Sequence, residues 1–340
     1  METLTSRERV WKTLRHEPVD RVPRQLWALP GVGMFRAEEL QKMRERFPSD
    51  FAEPLVRYGS SRRSRGVPNM PGINTDDWGS IWHVGEPGVI GEVKEYAIPR
   101  LEDVDGYEVP WELLEEADFS KVDEGCRTTD RFVLGGTATR PFERMQFLRG
   151  TENLFLDLAA GEPEAFALRD KLHAFSMREM AMWAATKVDG VSFMDDWGTQ
   201  QSLLISPALW RSFYKPLYKE YCDLLHAAGK AVFFHSDGHI EAIYPDLVEI
   251  GVDAVNSQLF CMDVERLSDV HGDRVSFWGE IDRQFVLPFG TTDVVRAAVD
   301  WVAAATIGRR GRTGVIAECE WGVHDPYDNI AAVFDQWNQW

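Results

Sequence analysis

Val191-Ser-Phe-Met-Asp-Asp196, Ala231-Val-Phe-Phe-His-Ser-Asp237, Ala254-Val-Asn-Ser-Gln258, Val275-Ser-Phe-Trp-Gly-Glu280 and Gly314-Val-Ile-Ala-Glu-Cys-Glu320 decide the fold of this chain. Each is a short, mostly apolar run that ends in polar or ionisable residues. A helical pattern follows each one, from Ser206-Pro207, Ile240 to Ile250, Val264 to Val270, Thr291 to Thr306 and Tyr327 to Trp337. Short strands apolar on both faces and alternating with helices predict a parallel sheet covered on both sides. Ser206 can cap a helix and Pro207 suits its first position, while Gly229, Gly251 and Gly272 stand where helices should stop. No GxGxxG or GxxxxGK[ST] loop follows a strand, so a closed barrel is favoured over an open nucleotide-binding sheet.

Working outward, Phe132-Val-Leu134 reads as an earlier strand before Gly135-Gly136, with helices over 141–159 and 162–187. Near the start, Thr5-Ser-Arg-Glu8 offers a capping box for a first helix, and 22–29 a first strand. Between 31 and 130 the pattern gives only two more helices and an Asp76-Asp-Trp-Gly79 turn. No linker or low-complexity segment interrupts the chain. The expectation is one domain over 1–340, of α/β class: a (β/α)8 TIM barrel with an N-terminal helical extension.

Composition narrows the function classes. Hydrophobic residues make up 44%, and charges sum to 37 − 55 = −18 with histidines neutral. Such a surface repels nucleic acid and anionic membrane. Met1-Glu-Thr-Leu-Thr5 has neither a basic nor an apolar leader segment, and no apolar run is long enough to cross a bilayer. Cys126, Cys222, Cys261 and Cys319 are scattered without framework spacing, as reduced thiols of a cytoplasmic protein would be. Arg57, Arg62, Arg63 and Arg65 share a Ser/Gly-rich loop that is either solvated or a docking point for an anionic group.

In a parallel barrel the carboxyl ends of the strands converge on one mouth, where substrates bind. That brings together Asp195, Asp196, His235, Asp237, Asn256, Gln258, Glu280, Glu318, Cys319 and Glu320. His235 and Asp237 are two apart on a strand, so they share a face. With Cys319 and the carboxylates they form either a divalent-metal site, zinc or a harder ion, or a metal-free acid/base cluster.

Several segments resemble the uroporphyrinogen decarboxylase superfamily. They are Arg7 to Pro23, Phe142 to Asn153, Asp195-Asp-Trp-Gly-Thr-Gln200, His235-Ser-Asp-Gly-His-Ile240, Ile250 to Asn256, Trp278-Gly-Glu-Ile-Asp-Arg-Gln284 and Leu287 to Thr291. The resemblance spans nearly the whole chain and implies the same barrel. The superfamily holds porphyrin decarboxylases and cobalamin-linked methyltransferases. Decarboxylases carry an Arg-Gln-Ala-Gly-Arg carboxylate clamp after the first strand. Here Arg24-Gln25 continues as Leu26-Trp27-Ala28, so the second arginine is missing unless Arg62 or Arg140 supplies it. The methyltransferase branch binds zinc through His-x-Cys and a distant Cys, which implies His235, Asp237 in place of the first Cys, and Cys319.

The leading expectation is therefore a zinc-dependent (or other divalent-metal) methyltransferase. It would move a methyl group between a small substrate or thiol and a corrinoid on a partner protein. His235, Asp237 and Cys319 would hold the metal, with Glu280, Glu318 or Glu320 as fourth ligand. Asp195 or Asp196 would orient or deprotonate the substrate together with Glu280, and Trp197, Asn256, Gln258 and Gln284 would bind it. Side chains alternate along Glu318-Cys319-Glu320, and Cys319 is expected to face the cavity. A metal-dependent lyase, hydrolase or isomerase at the same mouth is the alternative. A barrel that only binds is a third possibility, and the convergent ionisable groups count against it.

Overall fold

The computed structural model describes residues 3–311 and 313–340; Met1 and Glu2, which open the segment read as lacking a leader, lie outside them. Eight parallel strands form the barrel: β1 (Arg24–Ala28), β2 (Phe51–Ala52), β3 (Phe132–Gly136), β4 (Gly190–Met194), β5 (Ala231–Ser236), β6 (Ala254–Ser257), β7 (Ser276–Trp278) and β8 (Val315–Trp321). The hydrogen-bonded order is β1-β8-β7-β6-β5-β4-β3-β2. The remaining seam, between β1 and β2, is spanned by the Asp50 N–H, which donates to the Arg24 carbonyl at 3.0 Å.

Alternation along the strands sorts side chains into two layers. Phe51, Phe132, Leu134, Ala231, Phe233, Ala254, Trp278 and Ile316 pack inside the barrel. Val133, Val191, Phe193, Val232, Phe234, Val255, Phe277, Val315 and Ala317 face outward against the helices. The first helix, Ser6–Leu14, begins with the expected capping box and inserts Val10, backed by Trp11 and Leu14, into the bottom of the interior layer. It closes the amino end of the barrel, so access is from the carboxyl end.

The predicted helix over 141–159 is two helices, Pro141–Arg149 and Thr151–Ala160. They break at Gly150, where φ is +86° and a Cβ would run into the Tyr96 ring at 2.7 Å. Gly251 ends its helix in the left-handed conformation as expected, whereas Gly272 stays right-handed at its helix end. Residues 30–130 hold what periodicity could not parse: four helices (Pro30–Phe35, Ala37–Arg46, Glu112–Glu115 and Val122–Arg127), a 3-10 turn over Leu101–Val104, a two-residue β2, and an antiparallel meander of Gly72–Thr75, Ile81–Val84 and Glu92–Glu95. The Asp76–Gly79 turn joins the first two meander strands, and the Asp76 carboxylate accepts the backbone N–H groups of Trp78 and Ser80. Its other oxygen accepts from Arg144 at 2.6 Å, tying the meander to the barrel mouth. Among the described residues no helix is long and apolar enough to cross a membrane.

Candidate active site

The loops after β4 and β5 are knitted together, and this places the first functional groups. Gly198 N–H donates to the Asp237 carbonyl at 3.1 Å, and His239 N–H to the Thr199 carbonyl at 2.7 Å. A Cβ on Gly238 would collide with the Gly198 backbone, so the glycines of Asp-Asp-Trp-Gly and His-Ser-Asp-Gly are required by this close approach. The Asp196 carboxylate accepts the Asp237 N–H at 2.8 Å. His235 Nε2 then lies 3.5 Å from Asp196 and 3.6 Å from Asp237. The ligand-capable atoms of these three residues all lie within 4.8 Å of one another.

On its other side His235 is fixed by Asn256. The Asn256 amide nitrogen donates to the Trp278 carbonyl at 2.5 Å and to Glu318 at 3.1 Å, which identifies its oxygen as the atom 2.6 Å from His235 Nδ1. Nδ1 must therefore carry a proton, and Nε2 is the nitrogen turned toward the carboxylates. Burial disfavours the imidazolium, but Asp196, then Asp237 and Glu280, outweigh it and push His235 up to about 9. Burial also opposes ionisation of Asp196, yet His235 and the Asp237 N–H hold it below the usual carboxylate range.

Beyond this triad the mouth is crowded with acid. Arg283 ion-pairs with Asp237 and Glu320 and with Glu280 at 3.2 Å. Burial pushes the Glu280 carboxyl up to about 7 against the pull of Arg283. Burial, reinforced by Glu280 and Glu320, holds Glu318 far above the usual range, and its Oε1 has no hydrogen-bond partner. A cleft of about 780 Å³ opens onto Asp237, Gln258, Arg283, Gln284 and Glu320. A second, of about 300 Å³, lies among Gln25, Trp27, Leu134, Trp183, Ser192 and Trp278. Trp27 joins the two regions, its ring packing on His235 at 5.4 Å and edge-on to Trp278 at 5.1 Å.

The structure brings Asp196, His235, Asp237, Asn256, Gln258, Gln284 and Glu280 to the mouth. Gln258 accepts from Gln200 at 2.6 Å and from Gly238 N–H at 3.1 Å. Gln284 is an exposed residue of the cleft wall. Three expected residues turn elsewhere. Asp195 is fully buried outside the mouth, where it accepts from Phe142 N–H and Glu143 N–H at 2.9 Å and from the Tyr218 hydroxyl at 2.5 Å. It caps helix Pro141–Arg149, and burial with Glu143 pushes it up to about 8 against those three donors. Trp197 stacks on Phe142 at 4.0 Å in the outer layer. Cys319 belongs to the same outer layer, because β8 turns Glu318 and Glu320 inward.

Arg24 starts β1 at the closed end and lies over the Phe47 ring, away from the mouth, so it rebuilds no carboxylate clamp. Arg140 does reach the mouth but is paired with Glu143 at 3.0 Å. Arg63, from the arginine loop, lies over Tyr107 beside the meander. Sequence reasoning did not single out Arg283, Glu143 or Trp27. Only Arg283 had a signal: a mouth with this many carboxylates needs a counter-charge, and Arg283 is the basic residue of the Trp278–Gln284 segment.

Compared with known proteins, the chain is similar in structure to a methyltransferase from Methanosarcina mazei, with 17% identity, 99% of each chain covered and a TM-score of 0.71. Two xylanases follow at TM-scores below 0.5, which carry no argument: one from Gloeophyllum trabeum (10% identity, 96% and 99% covered, TM-score 0.47) and xylanase 10B from Thermotoga maritima (9%, 99% and 98%, 0.46). At such identities the likeness concerns the fold. No match is found among curated proteins. Residues 83–340 match the family described as "Uroporphyrinogen decarboxylase (URO-D)", a stretch that runs from within the meander through every strand from β3 to β8. The chain belongs to the uroporphyrinogen decarboxylase family.

Proposed function

We propose that this protein is a divalent-metal-dependent methyltransferase, a single cytoplasmic barrel domain that passes a methyl group between a small substrate and a corrinoid carried by a partner protein. The observation that carries the reading is the His235 geometry. Nδ1 is pinned by Asn256, and Nε2 converges with Asp196 and Asp237 on one point. A histidine whose second nitrogen donates to a fixed acceptor is the usual arrangement at a metal. The donor set is one nitrogen and two carboxylates, without the thiol expected from Cys319. It suits zinc, and manganese or ferrous iron at least as well.

When bound, such an ion supplies Lewis acidity toward a substrate heteroatom. The protein's own groups do the rest. Asn256 orients the imidazole, and Arg283 offsets part of the charge of Asp237, Glu280 and Glu320. Glu280, pushed up to about 7, can hold a proton at neutral pH and hand it to a departing oxygen or nitrogen. In the transfer the bond from heteroatom to methyl breaks with its electron pair left on the heteroatom. A reduced corrinoid, if the partner carries one, would supply the acceptor for that methyl. The four unpaired cysteines agree with a reducing compartment.

The test is metal analysis of the purified protein with a methyl-transfer assay to reduced corrinoid. About one divalent ion per chain is expected, removable by chelator together with activity and lost in His235→Ala. Stoichiometric metal in that variant would remove the proposal. A second reading, a metal-dependent lyase or hydrolase, is favoured by the oxygen-rich donor set and the high Glu280 and Glu318 carboxyls. Metal-dependent release of carbon dioxide or uptake of water, without methyl transfer, would establish it instead.

A further inference from the structure

A helix on the outside of a barrel ordinarily shows charge to solvent, as Lys215–Ala227 does with Lys219, Glu220, Asp223 and His226. Helix Thr292–Arg310 does not. It buries Val295, Val299, Val302 and Ile307, yet its exposed side reads Val294, Ala297, Trp301, Ala304 and Gly308. Those positions alternate by three and four residues, the spacing of a helix-pairing seam. A helix apolar on two faces belongs between two packed surfaces, and one of the faces is open here. We infer that this face is a homodimer interface, on which the same helix of a second copy lies antiparallel.

The seam fits itself. About a two-fold axis at position 299, Val294 meets the partner's Ala304 and Ala297 meets the partner's Trp301, so each large side chain faces a small one. Charge at the edges is already spent. Asp293 ion-pairs with Arg296 at 2.9 Å, and Asp300 accepts from Gln336 and Trp340, each at 2.7 Å. The patch continues past the start of the helix. A Cβ on Gly290 would touch Val294 Cγ1 at 3.3 Å, and the turn before it carries Phe285 and Phe289, 70% and 81% exposed. In the same register Phe289 reaches the partner's Gly308, where no side chain stands in its way.

Area and charge favour a second copy of this chain. Aromatic side chains carry about 150–250 Å² each, so Phe285, Phe289 and Trp301 alone expose roughly 400 Å². With Val294 and the small residues the patch comes to most of the roughly 600 Å² per partner at which stable interfaces begin. The net charge of −18 makes two copies repel, and a charge-free face is where that repulsion costs least. The helix starts at the mouth, just after Phe289 of the cleft wall, and runs toward the closed end. Antiparallel pairing therefore points the two mouths in opposite directions and leaves both open, so the dimer stands or falls independently of methyl transfer.

The test is sedimentation equilibrium of the full chain, from low to high micromolar concentration, in low and in high sodium chloride. A monomer–dimer equilibrium with a micromolar dissociation constant is expected, and salt should tighten it by screening the repulsion. Ala297→Glu puts a good helix former at an exposed position, so its melting temperature should match wild type. It should nevertheless weaken the dimer about tenfold or more, because a charge then enters the packed seam. Val294→Lys and Ala304→Glu should each weaken association alone, and a mixture of the two should restore it, since the register sets them opposite one another. A wild-type chain that stays single at the highest concentration overturns the inference and leaves the face to a different protein. So does a dimer that folded Ala297→Glu retains, or one that salt weakens. A mixture that associates no better than either variant alone overturns the antiparallel register.

Discussion

The two ends of the barrel both bury charge, and they do so in opposite ways. At the closed end Asp50 is fully buried and accepts from Arg9 at 2.6 Å, from Arg21 at 2.7 Å and from Arg24 N–H at 2.8 Å. Arg9 spends its remaining donors on Asp20 and the Leu4 carbonyl. At the mouth Asp196, Asp237, Glu280, Glu318 and Glu320 face Arg283 and His235, with Arg140 paired to Glu143, and Glu318 Oε1 is left without a partner. A satisfied ion cluster holds the fold together; an unbalanced one sits where a further cation or a proton is expected. The difference lies in satisfaction, not in burial.

The largest effect that can break this comparison is on stability. Asp50→Ala takes one of its two carboxylates from the buried Arg9 and removes the acceptor for the Arg24 N–H at the seam between β1 and β2. Loss of one partner of a buried pair costs about 3–5 kcal/mol, and urea unfolding should show a loss in that range. Glu318→Gln, at the opposite end, keeps an acceptor for Asn256 and removes an ill-partnered acid. Its unfolding free energy should stay within about 1 kcal/mol of wild type. If both variants lose the same amount, the two clusters are alike and the distinction is wrong.

A smaller effect sharpens the mouth's half of the contrast. Asn256 is not itself one of the proposed metal ligands, yet it sets which nitrogen of His235 faces Asp196 and Asp237. Removing an orienting partner of a metal-bound histidine typically lowers affinity about 10–100-fold. Titration of folded Asn256→Ala with zinc should show a loss of that size, beside a lower thermal stability because the Trp278 carbonyl and Glu318 lose their donor. An unchanged affinity would mean that the orientation of His235 owes nothing to Asn256.

Legibility in the sequence follows the same divide. Runs such as Ala231–Phe234 are apolar on both faces because helices cover one side and the barrel interior the other, so strand identity and the common mouth could be read directly. Gly198 and Gly238 stood out as motif residues, but their cause, two backbones in contact, exists only once β4 and β5 are neighbours. β2 was not legible because two residues carry no period. Asp195 and Asp196 are adjacent with equal chemistry, and only the start of helix Pro141–Arg149 decides that the first becomes a cap and the second faces His235. Arg283 needed Asp237 from the loop after β5 and Glu320 from β8 beside it before it could be recognised.

Glu179 tests whether satisfaction governs titration away from the proposed metal site. Its Oε1 accepts from Tyr58 and from Ala138 N–H, each at 2.7 Å, while Oε2 has no hydrogen-bond partner. Burial pushes the carboxyl up to about 7 from 4.5. A folded-state value above the unfolded one means that the folded chain binds the proton more tightly. The stability this contributes is complete below pH 4.5 and is lost as pH rises through 7. The urea midpoint should therefore fall between pH 5 and pH 8, and Glu179→Gln should fall less over the same interval. Equal slopes would show that Glu179 is ionised in the folded protein and fully compensated.

The smallest expected effect separates the structure from the sequence expectation most cleanly. Cys319 pairs in register with Leu26 of β1, between Glu318 and Glu320, and its side chain joins Ala317 and Trp321 in the outer layer. Burial, with Glu318 next, pushes its thiol well above the usual range, so the thiolate a metal would need is disfavoured where it stands. A one-residue shift of β8 would be needed to bring the sulfur inward. That shift would move Glu318 and Glu320 out into the helix layer as well. Cys319→Ala should therefore leave metal content and metal affinity as they are, and cost only the packing of one sulfur atom, about 1 kcal/mol in urea unfolding. Loss of the metal in this variant, with the fold intact, would mean that β8 presents its other face to the cavity and that the site is built on a thiol after all.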